Sequence, residues 1–119
     1  MAKYALLLPH RADRYTNLSG DEMGEIMKDY FAWVQAKVEA GAYQGGHKLN
    51  TEAGKLMTTR SGELEVHDIP SAEVAEVIGG IMIIEATSLD DAVDQARGHP
   101  HLVHNQNMVV LPVDPAAED

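Results

Sequence analysis

The sequence contains no cysteine, only one phenylalanine and one tryptophan, and no long hydrophobic run. The lack of cysteine excludes disulfides, thiolate metal ligands and cysteine nucleophiles, and it is typical of a reducing compartment, so we predict a cytoplasmic protein. No apolar run approaches the roughly 20 residues needed to cross a bilayer. Pro9 and His10 end the short apolar start without a cleavage site behind it, which argues against a signal peptide. We therefore expect a soluble chain without a membrane partner.

Basic residues are also scarce. Nine Lys and Arg face nineteen Asp and Glu, which gives a formal net charge of −10. This charge repels polyanions, and the basic residues are scattered, so nucleic acid is not an expected partner. The length of 119 residues suits one domain, and a hydrophobic content of 45% is enough for one core. We predict a single domain over residues 1–113 and a disordered acidic tail over residues 114–119.

The spacing of apolar residues predicts both helices and strands. Residues 3–8 are apolar on both faces of a period-two pattern, which predicts a central strand. Ser19 and Glu22 form a capping box, and the apolar residues that follow at helical spacing predict a long helix that ends at Gly41. Further strands are predicted at residues 43–49, 55–60, 63–66, 81–85 and 108–113, with a hairpin turn at Ser61-Gly62 and an irregular connection at 68–76.

A second helix begins after Thr87 or Ser88 and is stopped by Gly98 and Pro100. The resulting order predicts an α+β fold of ferredoxin-like type, with an inserted β-hairpin and an antiparallel sheet covered by two helices. The strands are apolar on both sides and only two helices are predicted, so we expect a second copy to cover the open sheet face in a homodimer, with Trp33 at the dimer contact.

The segment from residue 66 to residue 80 resembles the signature region of the YCII-related, or DGPF, domain family. The residues in register with that signature are Asp68, Pro70, Glu73, Glu76, Gly79 and Gly80. The resemblance extends over roughly residues 3–113 and includes an opening Lys-Tyr-x-Leu-Leu strand, Glu39-Ala40-Gly41 and Leu89-Asp90-Asp91-Ala92. Ile69 and Ser71 stand where the glycine and phenylalanine that name the signature would be, so the chain is a divergent member.

The resemblance implies a dimeric α+β barrel with a small pocket near the sheet. We expect no cofactor. In the YCII branch a His and an Asp are proposed as an acid/base pair, and these positions fall on Tyr30 and His99 here. Tyr30 and His99 are therefore candidate catalytic residues, because imidazole titrates near neutrality and a phenol can donate a proton. Tyr30 can equally be a core tyrosine. Asp68, which aligns with the signature aspartate, is the third candidate, with the alternative that it caps the following turn.

Six histidines occur, three of them in the segment 99–104. His47, which follows Gly45-Gly46, is a candidate ligand-binding residue or a surface strand residue, and His101 is a candidate of the same kind or a loop residue. We expect His10 and His104 to bond backbone or to face solvent. A metal site is not predicted, because the spacing matches no known ligand motif and the segment contains no acidic residue as a fourth ligand.

Two classes of function fit these features. One is a cofactor-independent enzyme of lyase or isomerase type that acts on a small organic molecule with His, Tyr or Asp groups. The other is a non-catalytic ligand-binding or regulatory partner domain, because the resemblance links DGPF domains to sigma-factor systems. An enzyme requires Tyr30, His99 and Asp68, or a similar set, to converge around a cavity, whereas a partner domain would show an exposed apolar patch.

Overall fold

The computed structural model describes residues 2–10, 18–51, 53–69, 77–104 and 106–115. The elements in chain order are β1 (Ala2–His10), α1 (Gly20–Glu39), β2 (Tyr43–Lys48), β3 (Lys55–Arg60), β4 (Glu63–Asp68), β5 (Val77–Ala86), α2 (Leu89–Ala96), α3 (Pro100–Val103) and β6 (Val109–Pro112). Most of the predicted connection at 68–76, and residues 116–119 of the predicted tail, lie outside the described residues. Within the described ranges, no helix is long and apolar enough to span a bilayer.

The main sheet has four strands in the order β2-β5-β1-β6, and all of its pairings are antiparallel. Strands β3 and β4 form a separate two-stranded sheet that is inserted between β2 and β5. This arrangement confirms the predicted α+β fold of ferredoxin-like type with an inserted hairpin. At the hairpin turn Ser61 and Gly62 both have positive φ, of 50° and 81°, as a two-residue type I′ turn requires.

The helix starts are encoded locally. The Ser19 hydroxyl accepts from the Glu22 backbone N–H at 3.0 Å, and the Glu22 carboxylate accepts from the Ser19 N–H at 3.4 Å, so the predicted capping box is present. For α2 the cap is Ser88, whose hydroxyl accepts from the Asp91 N–H at 3.0 Å. The Asp91 carboxylate accepts in return from the Thr87 N–H at 2.9 Å, and this hydrogen bond holds the pKa of Asp91 below its ordinary value.

Two regions differ from the predictions. Strand β5 begins at Val77 rather than at Ile81, so Gly79 and Gly80 lie inside the strand. The histidine segment, expected to be a loop, contains the one-turn helix α3, because Pro100 occupies a first-turn position where its missing N–H costs nothing.

The core lies between one sheet face and α2. Its buried residues are Tyr4, Leu6, Ile84, Ala86, Ala92 and Ala96. Trp33 of α1 is partly buried and packs against this cluster within the same chain. Because side chains alternate along a strand, Ala5 and Leu7 point to the opposite sheet face from Tyr4 and Leu6.

Candidate functional site

A β-bulge shapes one end of the main sheet. Leu8 pairs with Gly80, but the next residue, Pro9, pairs with Ile78, so Gly79 is the extra residue on β5. A Cβ on Gly79 would lie 2.6 Å from the Cβ of His10, a distance that only glycine avoids. The register of β2 against β5 also shifts, between Tyr43 and Gly45, but opposite Ile84 and Ile83 and so away from this end. At the bulged end, Gly46, Gly79 and Gly80 contribute no side chains, which leaves the space next to β1 unfilled.

A cavity of about 650 Å³ opens at this end, between α1 and the sheet. Its apolar side chains are Leu8, Met23, Ile26, Met27 and Met82. Gly46, Gly79, Gly80 and Ile81 also border it, and strand alternation directs the Ile81 side chain to the opposite sheet face. Its polar lining is Tyr30, Tyr43, His10, His47, Lys48 and His101. A mostly apolar concave wall with a few polar groups is the usual form of a small-molecule site.

Tyr30 and His101 form a hydrogen-bonded pair in the cavity wall. The Tyr30 hydroxyl lies 2.8 Å from Nδ1 of His101, and Nε2 of His101 lies 2.7 Å from the backbone oxygen of Pro9. A carbonyl oxygen only accepts, so Nε2 of His101 carries a proton and donates it. In the neutral imidazole Nδ1 is then the acceptor, and the Tyr30 hydroxyl donates to it. The tautomer of His101 is thus determined by the Pro9 carbonyl.

His99 supports this pair from behind. It is fully buried and caps α3, with Nδ1 accepting from the His101 backbone N–H at 3.0 Å. Its ring lies 4.4 Å from the Trp33 ring and 5.3 Å from the Tyr30 ring, measured between centroids. Because Nδ1 accepts, the proton of the neutral ring sits on Nε2, a buried donor with no hydrogen-bond partner among the described residues.

Both imidazoles are held neutral. Burial lowers the pKa of His99 from 6.5 to about 4, and the repulsion that the two imidazoles would exert on each other if both were protonated adds to this shift. Burial also lowers the pKa of His101; the hydrogen bond to Pro9 opposes this shift, and the neighbouring His10 adds to it. The His101 side chain is only 4% exposed. At neutral pH, His101 is therefore a neutral hydrogen-bond acceptor for Tyr30 and not a cation.

The structure brings some of the predicted site residues together and separates others. Tyr30 and His101 line the cavity, and His47 borders it. Strand alternation directs the exposed His47 side chain to the sheet face opposite to that of Lys48. His99 lies behind the cavity wall. The Tyr30 hydroxyl pairs with His101, although its ring also contacts His99. Asp68 is not among the cavity-lining residues: it ends β4 on the inserted hairpin, is exposed and forms an ion pair with Lys55.

The sequence reasoning missed three lining residues. Tyr43 and Lys48 lie on either side of the Gly45-Gly46 pair, and this pair is the feature of the sequence that could have indicated them as lining residues. From the sequence, only His47 of this strand is named as a candidate ligand-binding residue. His10, expected to bond backbone or to face solvent, is half-buried and lines the cavity. His104, in contrast, is partly exposed, with Nε2 3.3 Å from a carboxylate oxygen of Asp29.

The described part of the chain contains no group of three His, Cys, Asp or Glu side chains placed to hold a metal ion. Both ring nitrogens of His101 and Nδ1 of His99 already take part in hydrogen bonds. The site therefore offers proton donors and acceptors.

The profile of the YCII-related domain matches residues 2–111. A curated relative from Rhizobium meliloti (strain 1021), the uncharacterized protein R00369, is 34% identical over 95 residues, which is 79% of this chain and 77% of the relative. The chain belongs to the YCII-related domain family, which confirms the resemblance drawn from the signature region.

Proposed function

We propose that this protein is a cofactor-independent enzyme of lyase or isomerase type that transfers a proton on a small organic molecule held in the cavity. The hydrogen bond of 2.8 Å between the Tyr30 hydroxyl and Nδ1 of His101, in the cavity wall, carries this proposal. Tyr30 is the catalytic residue that meets the substrate. His101 exchanges a proton with Tyr30, and His99 positions His101 through the cap of α3.

The direction of the hydrogen bonds defines the route of the proton. Because Tyr30 donates to His101, its hydroxyl oxygen can accept a proton from a substrate C–H or O–H while its own proton moves to Nδ1. The imidazolium formed on His101 keeps its Nε2–H bond to the Pro9 carbonyl, which stabilises the cation. The reverse sequence returns a proton to another atom of the substrate, as an isomerase or lyase requires.

The resting pair remains neutral without a substrate. Proton transfer within the pair alone is unfavourable, because a phenol is a much weaker acid than an imidazolium and burial lowers the pKa of His101 further. The resting pair therefore contains no tyrosinate. The phenol proton moves to Nδ1 as the substrate proton arrives at the phenol oxygen, so the net transfer is from the substrate to the imidazole and no free tyrosinate forms.

Deuterium exchange tests the relay without knowledge of the natural substrate. Pyruvate, levulinate and cyclopentanone, incubated with the protein in D2O, would gain deuterium next to the carbonyl, as measured by proton NMR. Tyr30→Phe and His101→Gln should each slow the exchange of any responsive compound by about 10²- to 10⁴-fold. His104→Gln, a change in the same segment but away from the cavity lining, is the control. Exchange that is equally fast in both test variants would refute the relay.

The inserted hairpin supports a second candidate, a regulatory or ligand-binding partner domain of the kind associated with sigma-factor systems. Met57, Leu64 and Val66 are 61%, 60% and 56% exposed, and the pairings Met57↔Val66 and Thr59↔Leu64 place them on one hairpin face. Such a patch is typical of a protein contact. If Val66→Thr abolishes binding to a candidate sigma factor while the cavity shows no proton exchange, the partner domain is the better description.

We also propose that the working form is a cytoplasmic homodimer. The lack of cysteine supports the location, and the open sheet face supports the dimer. On that face the register aligns two rows of apolar side chains, Val109-Leu7-Ile81 and Leu111-Ala5-Ile83. No helix among the described elements belongs to the core on that side. Light scattering should give twice the chain mass of 13.0 kDa, and a monomer at all concentrations would refute the dimer.

A further inference from the structure

The wall of the cavity has the opposite charge balance to the whole chain. The chain has nineteen acidic residues against nine basic ones. The described residues that line the cavity include Lys48 but no Asp or Glu. An acidic protein whose described cavity lining lacks carboxylates repels anions less at this site than elsewhere on its surface.

Among the described lining residues, Lys48 carries the only full positive charge. It ends β2 opposite Gly80, and strand alternation places its side chain on the same sheet face as Gly46 and Met82, the face that α1 covers. Lys48 forms no ion pair with any described residue, whereas Lys55 pairs with Asp68. Its ammonium group is therefore available to a ligand.

The backbone next to Lys48 is bare, which leaves room for a ligand group. A Cβ on Gly80 would lie 3.0 Å from the Leu8 side chain, and one on Gly46 would lie 2.8 Å from the Tyr43 hydroxyl. The glycines thus keep this floor open and allow the Tyr43 hydroxyl to approach it. A carboxylate here would meet an ammonium group and a phenol, both hydrogen-bond donors.

The remainder of the cavity favours a ligand with an apolar group, called here its apolar body. Met23, Met27 and Met82 contribute flexible thioether side chains, which adapt to ligands of varied shape, and Leu8 and Ile26 complete an apolar wall. One lysine charge matches a monoanion better than a dianion such as a phosphate monoester. A carboxylate with an apolar body satisfies both parts of the cavity.

We propose that the ligand is a small organic monocarboxylate whose carboxylate binds Lys48 and whose apolar body lies against the methionines of α1 and β5. In this position its other end meets the Tyr30–His101 pair, and this last point rests on the proton-transfer function proposed above. The binding of the anion does not depend on that function.

Three probes with one apolar body test the charge requirement: 3-phenylpropanoate, 3-phenylpropanamide and 3-phenylpropylamine. Binding is read from the backbone amide NMR signals of Gly46, Gly79 and Gly80, which lie in the cavity floor. We expect the acid to bind most tightly and the amine most weakly. Lys48→Gln should weaken the acid about tenfold or more and leave the amide unchanged, because it removes one charge-assisted hydrogen bond. Lys28→Gln, an exposed change on α1, should leave all three affinities unchanged.

Several results would overturn the inference: equal or tighter binding of the amine, an affinity for the acid that Lys48→Gln does not reduce, or no shift of the glycine signals with any probe at 10 mM. The two proposals fail separately. Lys48-dependent binding of the acid, combined with no deuterium exchange on any carbonyl compound, removes the enzyme and keeps the anion site. Deuterium exchange that requires Tyr30, combined with equal binding of the acid and the amide, would refute the anion site and support the enzyme.

Discussion

The buried histidine behind the cavity should make the stability of the protein depend on pH in a defined way. His99 has a pKa of about 4 in the folded chain and 6.5 when unfolded, because burial disfavours the charged ring. Between these values the unfolded chain binds more protons than the folded one. The contribution of His99 to the free energy of unfolding is therefore complete above pH 6.5 and is lost as the pH falls toward 4.

The size of this loss follows from linkage. Each pKa unit of difference is worth about 1.4 kcal/mol, so the free energy of unfolding should fall by about 2 kcal/mol from His99 between pH 7.5 and pH 5. His99→Asn removes the titrating ring but keeps a side-chain oxygen that can cap α3 and accept from the His101 N–H. The variant also loses contacts with Trp33, but this packing loss is the same at both pH values.

Urea unfolding at pH 7.5 and at pH 5 measures how much free energy of unfolding each protein loses on acidification. The measurement is made on the unmodified chain and on His99→Asn. The unmodified chain should lose about 2 kcal/mol more than the variant on acidification. Carboxylates and His101 titrate in both proteins, so their contribution cancels to first order. His104→Gln, which changes a partly exposed histidine, should retain the full pH dependence. The same loss in His99→Asn as in the unmodified chain would show that His99 is not the buried neutral group described here.

Two further predictions concern the frame of the site. Gly46→Ala places a Cβ 2.8 Å from both the Ile81 carbonyl and the Tyr43 hydroxyl, and should lower the free energy of unfolding by about 1–3 kcal/mol. Gly24 lies on α1 with open space around it, so Gly24→Ala should raise the free energy of unfolding by about 0.5–1 kcal/mol. Equal effects of these two changes in urea unfolding would contradict the crowding at Gly46. Ser19→Ala should cost about 0.5–2 kcal/mol through loss of the capping box, and an unchanged urea midpoint would show that this cap is dispensable.

Local patterns predicted most of the fold. The capping box at Ser19 and the hairpin turn at Ser61-Gly62 are present where their residues predicted them, because a cap or a tight turn depends on a few neighbouring residues. The start of β5 was missed, because two consecutive glycines read as a break. The structure accommodates them in a bulged strand that leaves room for His10 and Leu8.

The site could be predicted only in part. Imidazole and phenol groups were identified as candidates from their chemistry, and Tyr30 and His101 do line the cavity, which His47 borders. Which histidine bonds Tyr30 could not be derived, because His99 and His101 differ by two positions in the same segment. Pro100 opens a one-turn helix between them, and this turn directs His101 to Tyr30 while His99 stays behind as the cap.

The sequence by itself determined the class of the fold, the helix caps and the kinds of side chain available for proton transfer, because these depend on composition and on neighbouring residues. The tertiary structure decided which side chains meet. Tyr30 and His101 are 71 positions apart, and His101 and Pro9 are 92 apart. Their contacts require the register of β1 against β5 and the docking of α3 on α1, and neither leaves a periodic pattern in the chain. The same reason separates Asp68 from the cavity: the hairpin register pairs it with Lys55, which local spacing did not indicate.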